Sequence, residues 1–199
     1  MMKLFIKENI RNNQRMSVRD SRGQIIYIIE GRWGRKMDKM AIYRTDGTHL
    51  MSMIQLKMSP IPVFELIENN VRTGTMRKHP GLFGIRDSYF TLHPHKWIIT
   101  GDFEDLYFTT HKENELIMEC EKDLKSGLTV YEVVIKNDED APLSALITTL
   151  FDHYSRKRVD EKETENIFSE NYELGFFNPF ALYMSKTNQQ QPKKCTKTR

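Results

Sequence analysis

The chain has 199 residues, 29% of them charged, 39% hydrophobic and 11% aromatic, with a formal net charge of +3. This composition excludes an intrinsically disordered chain, and so small a net charge gives no strong general pull toward nucleic acid or anionic membrane, so that the distribution of charge matters more than its sum. The length allows one domain plus an appendage, and two cysteines, Cys120 and Cys195, are too few for a disulfide framework, so a reducing, cytoplasmic compartment is expected.

The opening MMKLFIKENI carries Lys3, Lys7 and Glu8, which leaves an apolar run shorter than the roughly 7–15 residues of a signal-peptide core. It reads as a strand. From there one theme repeats: a β-rich run, a short turn carrying Asp, Asn or Gly, then another β-rich run. RMSVRD-SRG-QIIYIIEG, KMAIYR-TDG-THLMSMIQLK, VFELIE-NN-VRTGTMRK and LYFTTHK-EN-ELIMECEK all follow it. Asp, Asn and Gly tolerate the positive φ of tight turns, so each cluster is a hairpin signal. Strands are predicted near 3–7, 15–20, 24–31, 38–44, 48–57, 62–67, 71–79, 88–93, 96–101, 105–111, 115–121 and 128–136. Turns at this regular spacing point to a sandwich or a closed barrel.

Several runs alternate. In THLMSMIQLK Leu50, Ser52, Ile54 and Leu56 face one way and Met51, Met53, Gln55 and Lys57 the other, one face drier than its opposite. TVYEVVIK sets Tyr131, Val133 and Ile135 against Val130, Glu132 and Val134, as suits a strand with one buried face.

At DAPLSALITTLFDHYS the period changes from 2 to 3.6. Leu143, Leu146, Ile147, Leu150, Phe151 and Tyr154 form a helical stripe over about 141–155, with Asp140 as N-cap and Pro142 harmless in the first turn. The opposite face, Ser144, Ala145, Thr148 and Thr149, carries no charge before Asp152. A surface helix would show Lys or Glu outward, so this one is expected to be enclosed, its hydroxyls bonding back to carbonyls at i−4. The uncharged run is shorter than the roughly 18–20 apolar residues of a membrane span.

The expected domains are therefore residues 1–156, a barrel with a central helix, and 157–199, an extension. The latter holds a charged, partly helical stretch, the aromatic segment LGFFNPFALYM and a basic, disordered tail.

This order of elements resembles the LURP-one-related proteins, a branch of the superfamily that includes tubby C-terminal domains and phospholipid scramblases. The residues that carry the resemblance are KLFIKENI, VRDSRGQIIYIIEG, MAIYRTDGTHLMSMIQ and LTVYEVVIKNDEDAPLSALITTLFDHY, and it covers roughly Met2 to Ser155. It implies a mainly β fold in which a closed antiparallel barrel of about twelve strands surrounds one hydrophobic helix. It implies no scramblase activity, because the cysteine cluster of scramblases is missing. The paired basic residues with which tubby domains bind phosphoinositides have no match here. The extension lies beyond the resemblance.

Few constellations suggest chemistry. EGRWGRKMDK gathers Arg32, Arg35, Lys36 and Lys39 around Trp33, a loop able to meet an anionic lipid surface or grip a phosphate. The plainer reading is a solvated turn whose tryptophan caps a barrel end, since Asp38 weakens the patch. VRTGTMRKHPGLFG brings Arg72, Arg77, Lys78 and His79 before a Pro-Gly turn, without the spacing of a phosphate-cradling loop. HPHKW places His93 and His95 on one side of extended chain, but no third ligand is identifiable, so no metal or other cofactor is expected. His153 suits a helix C-terminus, and Cys120 suits an apolar filler. Phe176, Phe177 and Phe180 in the extension carry too much apolar surface to be left in water: the default expectation is that they cover the outside of the barrel, and the alternatives are a protein partner or, with the neighbouring basic tail, an anionic phospholipid surface.

Two functions are weighed. One is a non-catalytic binding module at the boundary between cytoplasm and membrane. The alternative is an enzyme using His93, His95 or His153 at a mouth of the barrel.

Overall fold

The computed structural model describes residues 1–8, 15–32, 35–57, 61–81, 87–103, 105–125 and 128–153. The described strands are β1 (Met2–Glu8), β2 (Arg15–Arg19), β3 (Ile25–Gly31), β4 (Lys39–Arg44), β5 (His49–Lys57) and β6 (Val63–Glu68). They continue with β7 (Val71–His79), β8 (Tyr89–His93), β9 (Trp97–Asp102), β10 (Tyr107–Lys112), β11 (Glu115–Lys125) and β12 (Leu128–Ile135). Each pairs antiparallel with its sequence neighbours, and β1 pairs with β12, Met2 opposite Ile135, to close a barrel. The mainly β expectation and the strand positions hold; β11 alone runs four residues further than expected, to Lys125.

The turn residues act as their chemistry predicts. Asp20 Oδ1 accepts hydrogen bonds from the backbone N–H groups of Arg22 and Gln24, each at 2.9 Å. Asp46 Oδ1 accepts from Thr48 N at 2.8 Å. Asn69 and Asn70 both have positive φ, 49° and 61°, the geometry of the tightest hairpin connection.

After β12, a 3-10 turn at Asp138–Asp140 feeds a helix, α1, over residues 141–153. Asp140 belongs to that turn, and its carboxylate accepts from Asn137 Nδ2 at 3.2 Å. It is thus part of a preceding acidic turn rather than a lone N-cap. The three consecutive carboxylates at the helix start oppose the positive end of the helix dipole.

The helix runs through the barrel. Every side chain from Leu143 to Asp152 is at most 3% exposed, on the apolar stripe and on the Ser/Thr face alike. Enclosure on all sides is what the missing charge predicted. Tyr131, Val133 and Ile135 of β12 point inward to meet the helix, joined by Leu4, Ile6, Phe90, Leu92, Ile99 and Phe108 from other strands. Each such side chain contributes on the order of 1.5–3 kcal/mol when fully buried. Thr148 Oγ1 donates to the Ser144 carbonyl at 3.0 Å, the expected i−4 bond. Thr149 and Ser144 differ: both hydroxyls are buried without a hydrogen-bond partner among the described residues.

In β5 the pairing decides which face turns inward. Met53 pairs with Met40 and Leu66, and Gln55 pairs with Phe64, all inward, while Ser52 pairs outward with Ala41 and Ile67. The reason is register: β4 and β6 present their apolar residues opposite Met53 and Gln55, and flexible methionine fills such gaps well.

The chain divides into two units, Met1–Lys157 and Arg158–Arg199. The second lies outside the described residues, and with it the expected interface residues Phe176, Phe177 and Phe180.

Candidate functional site: a basic groove on the barrel wall

Among the described residues α1 occupies the barrel interior, its side chains from Leu143 to Asp152 all buried. At the end where α1 stops, Phe151 packs with Phe90 at 4.8 Å, Phe103 at 4.7 Å and Phe108 at 5.0 Å between ring centroids. These rings pack together at that mouth, and the two depressions described below lie on the outer wall.

The two rims differ. The hairpins β2–β3, β4–β5, β6–β7, β8–β9 and β10–β11 turn tightly at the rim where α1 begins, and the longer connections gather at the rim where it ends. Among those connections is the basic loop between β3 and β4. Its geometry is set by backbone contacts. Gly31, with φ of 150°, ends β3 so close to β4 that an added Cβ would lie 2.3 Å from the Lys39 carbonyl oxygen and 2.6 Å from Met40 Cα. Arg32 N then donates to that same carbonyl at 3.1 Å. Arg35 N donates to Asp38 Oδ2 at 2.8 Å, which commits the Asp38 carboxylate to holding the turn. Met37, at φ of 70°, donates its N–H to the Gln55 carbonyl at 2.8 Å, and Gln55 N returns a bond to Asp38 O at 3.0 Å. The turn is stitched to the end of β5.

Beneath this loop the outer wall of β2, β3 and β4 forms a groove of about 560 Å³. Arg32 and Lys39, both expected from the sequence, line it together with Arg15, Glu30, Asp38 and Tyr43. Arg35 and Lys36 are exposed on the adjoining turn. Trp33 lies outside the described residues. The neighbourhood thus holds five cations against two carboxylates, Glu30 and Asp38. Both carboxylates are engaged: Glu30 Oε1 lies 3.1 Å from Arg15 Nε, and Asp38 caps Arg35. Arg15 and Glu30 were missed in the sequence because they face each other only through the β2–β3 register, which a bulge between Val18 and Arg19 shifts by one residue.

The other sequence candidates do not converge. His93 ends β8 and His95 packs on Trp97 in the next turn, with ring centroids 5.6 Å apart, at the rim where α1 begins. His153 is at the opposite end of a helix roughly 20 Å long, so these histidines share no site. Among the described residues no three His, Cys, Asp or Glu side chains gather as a metal site requires. Arg72 is paired with Glu65 at 2.7 Å. Cys120 is a buried filler, as expected, and its burial pushes the thiol up to about 12 despite a hydrogen bond with Thr148, far from a nucleophile's range.

The structure does create one serine–histidine pair that no sequence signature marked. His49 Nε2 lies 2.6 Å from Ser52 Oγ on the outer wall of β5, with Tyr43 edge-on to the imidazole at 5.4 Å. Ser52 is wholly buried, so no substrate reaches its hydroxyl, and the pair acts as a structural hydrogen bond.

No helix among the described residues is long and apolar enough to cross a membrane. The fold is similar to that of a protein from Arabidopsis thaliana solved by X-ray crystallography. The TM-score is 0.51 at 12% sequence identity, and the match covers 77% of this chain and 91% of the plant protein. No curated protein matches the chain. The LURP-one-related family profile matches residues 2–152, the stretch that builds the closed barrel and nearly all of its threaded helix, and the chain belongs to that family.

Proposed function

We propose that this protein is a non-catalytic binding module whose outer groove beside the β3–β4 loop meets an anionic phospholipid surface. The observation that carries the reading is the contrast between a core filled by α1 and an outer groove lined by Arg32, Lys39 and the Arg15–Glu30 ion pair, with Arg35 and Lys36 exposed on the adjoining turn. Clustered Lys and Arg near a surface gain roughly 1 kcal/mol each against anionic lipid, and the attraction fades with salt. In this reading the protein is cytoplasmic and peripheral at the membrane, and the aromatic segment with Phe176, Phe177 and Phe180 adds an apolar contact beside the basic tail.

Sedimentation with liposomes tests it. Full-length protein should pellet with phosphatidylserine-containing vesicles at low salt, less at physiological salt, and not with phosphatidylcholine alone. Arg32→Glu combined with Lys39→Glu should return most of it to the supernatant, and replacing the three phenylalanines by serine should weaken binding without removing its salt dependence. Equal recovery in the supernatant with and without anionic lipid overturns the reading.

A further inference from the structure

The wall opposite the basic groove carries a second depression of different chemistry. β9 stands six strands from β3 around the closure, so the two lie on opposite sides of the same rim. The depression measures about 370 Å³ and is floored by Tyr89, Ile98, Thr100 and Gly101, with Asp87 and Ser88 at its border. Ile98 is 43% exposed, which leaves an aliphatic side chain in water on the outer wall. The Tyr89 ring is held in place: His79 stacks on it with centroids 4.8 Å apart and planes 13° from parallel, and His79 Nε2 lies 2.9 Å from Thr91 Oγ1. At Gly101 an added Cβ would lie 2.4 Å from the Tyr107 carbonyl oxygen, so the chain keeps a bare backbone at that edge.

The surroundings are acidic. Asp102 follows Gly101 and stands in register with half-exposed Tyr107, and Asp105 N donates to Asp102 Oδ1 at 3.0 Å. Glu119 is opposite Thr109, which is itself opposite Thr100. On the flanking strands Lys112 is opposite Trp97, toward the other rim, while Arg77 and Lys78 are opposite Thr91 and Phe90 on the far side of β8.

We infer that this depression docks an extended segment of a partner protein, seating one aliphatic or aromatic side chain on Ile98 and Tyr89 between flanking lysines or arginines that face Asp87 and Asp105. The apolar floor fixes the anchor and the carboxylate border selects the charge, a division between buried anchor and polar rim common to peptide sites. This site does not depend on the lipid reading of the opposite groove.

Fluorescence anisotropy of the full-length protein with three labelled peptides tests it: one phenylalanine between pairs of lysines, the same peptide with serine for phenylalanine, and the same with glutamates for lysines. The lysine–phenylalanine peptide should bind best and weaken with salt. Ile98→Ser and, separately, Asp87→Lys should each raise its Kd about tenfold. Both positions face outward, so the variants should melt like the parent. Lys39→Glu should leave the Kd unchanged, which separates this site from the basic groove. An unchanged Kd in Ile98→Ser or equal binding of the glutamate peptide overturns the inference. Salt-sensitive dimers that disappear in Ile98→Ser would assign the depression to a second copy of this chain and overturn it too.

Discussion

The phenol of Tyr131 in β12 donates a hydrogen bond to Asp152 Oδ1 in the last turn of α1, and both residues are 1% exposed. The barrel wall thereby grips its helix through a polar bond inside an apolar shell. Tyr131→Phe removes the donor and keeps the ring, so a buried carboxylate loses one of its partners. The expected loss is about 1.5–3 kcal/mol, the range for a hydrogen bond to a charged group, read as a lower midpoint in urea denaturation with an unchanged slope.

Leu146 and Ile147 are wholly buried at the middle of α1. Leu146→Asp or Ile147→Lys would place an unpaired charge in that shell, and either should abolish folding, seen as loss of a cooperative melt by circular dichroism. Thr149→Val should behave in the opposite way. The Thr149 hydroxyl is buried without a hydrogen-bond partner among the described residues, so an isosteric methyl should leave stability unchanged or raise it by up to about 1 kcal/mol.

Gly31 is the hinge of the basic groove. Alanine there would need a positive φ that side chains rarely adopt and would drive its Cβ into the Lys39 carbonyl. Gly31→Ala should destabilise the fold by about 1–3 kcal/mol, measured by thermal denaturation, and should displace Lys39 enough to reduce pelleting with phosphatidylserine vesicles at low salt.

Cys120 links stability to alkaline pH. Its thiol is raised from 9.0 to about 12, chiefly by burial, so above pH 9 the unfolded chain sheds a proton that the folded chain keeps. The stabilisation is therefore complete below pH 9 and is lost as pH rises toward 12. Relative to Cys120→Ala, the wild type should lose about 1.4 kcal/mol per pH unit in that window. Native protein at pH 8 should leave Cys120 unmodified by iodoacetamide while the urea-unfolded chain is labelled, as read by peptide mass spectrometry.

Much of this architecture was legible in the residues because it depends on local rules. Alternation in TVYEVVIK set Tyr131, Val133 and Ile135 together on one face, turn chemistry at Asp20, Asp46 and Asn69–Asn70 marked hairpins, and the absence of charge from Ala141 to Phe151 announced an enclosed helix. Where local patterns were ambiguous, pairing decided. In THLMSMIQLK two faces were legible, and the registers with β4 and β6, which put Met40 and Leu66 beside Met53, turn the Met53 face inward.

The basic loop was visible as Arg32, Arg35, Lys36 and Lys39, but the groove beside it was not. Arg15 and Tyr43 reach it only because β2, β3 and β4 lie side by side. The His49–Ser52 contact, the Tyr131–Asp152 bond and the depression around Ile98 likewise join residues whose meeting depends on barrel closure or on strand register. Periodicity along a chain records which side chains avoid water, since that preference acts residue by residue. Which of them meet across strands is set by register, closure and the threading of one helix, and those emerge only when the whole chain packs at once.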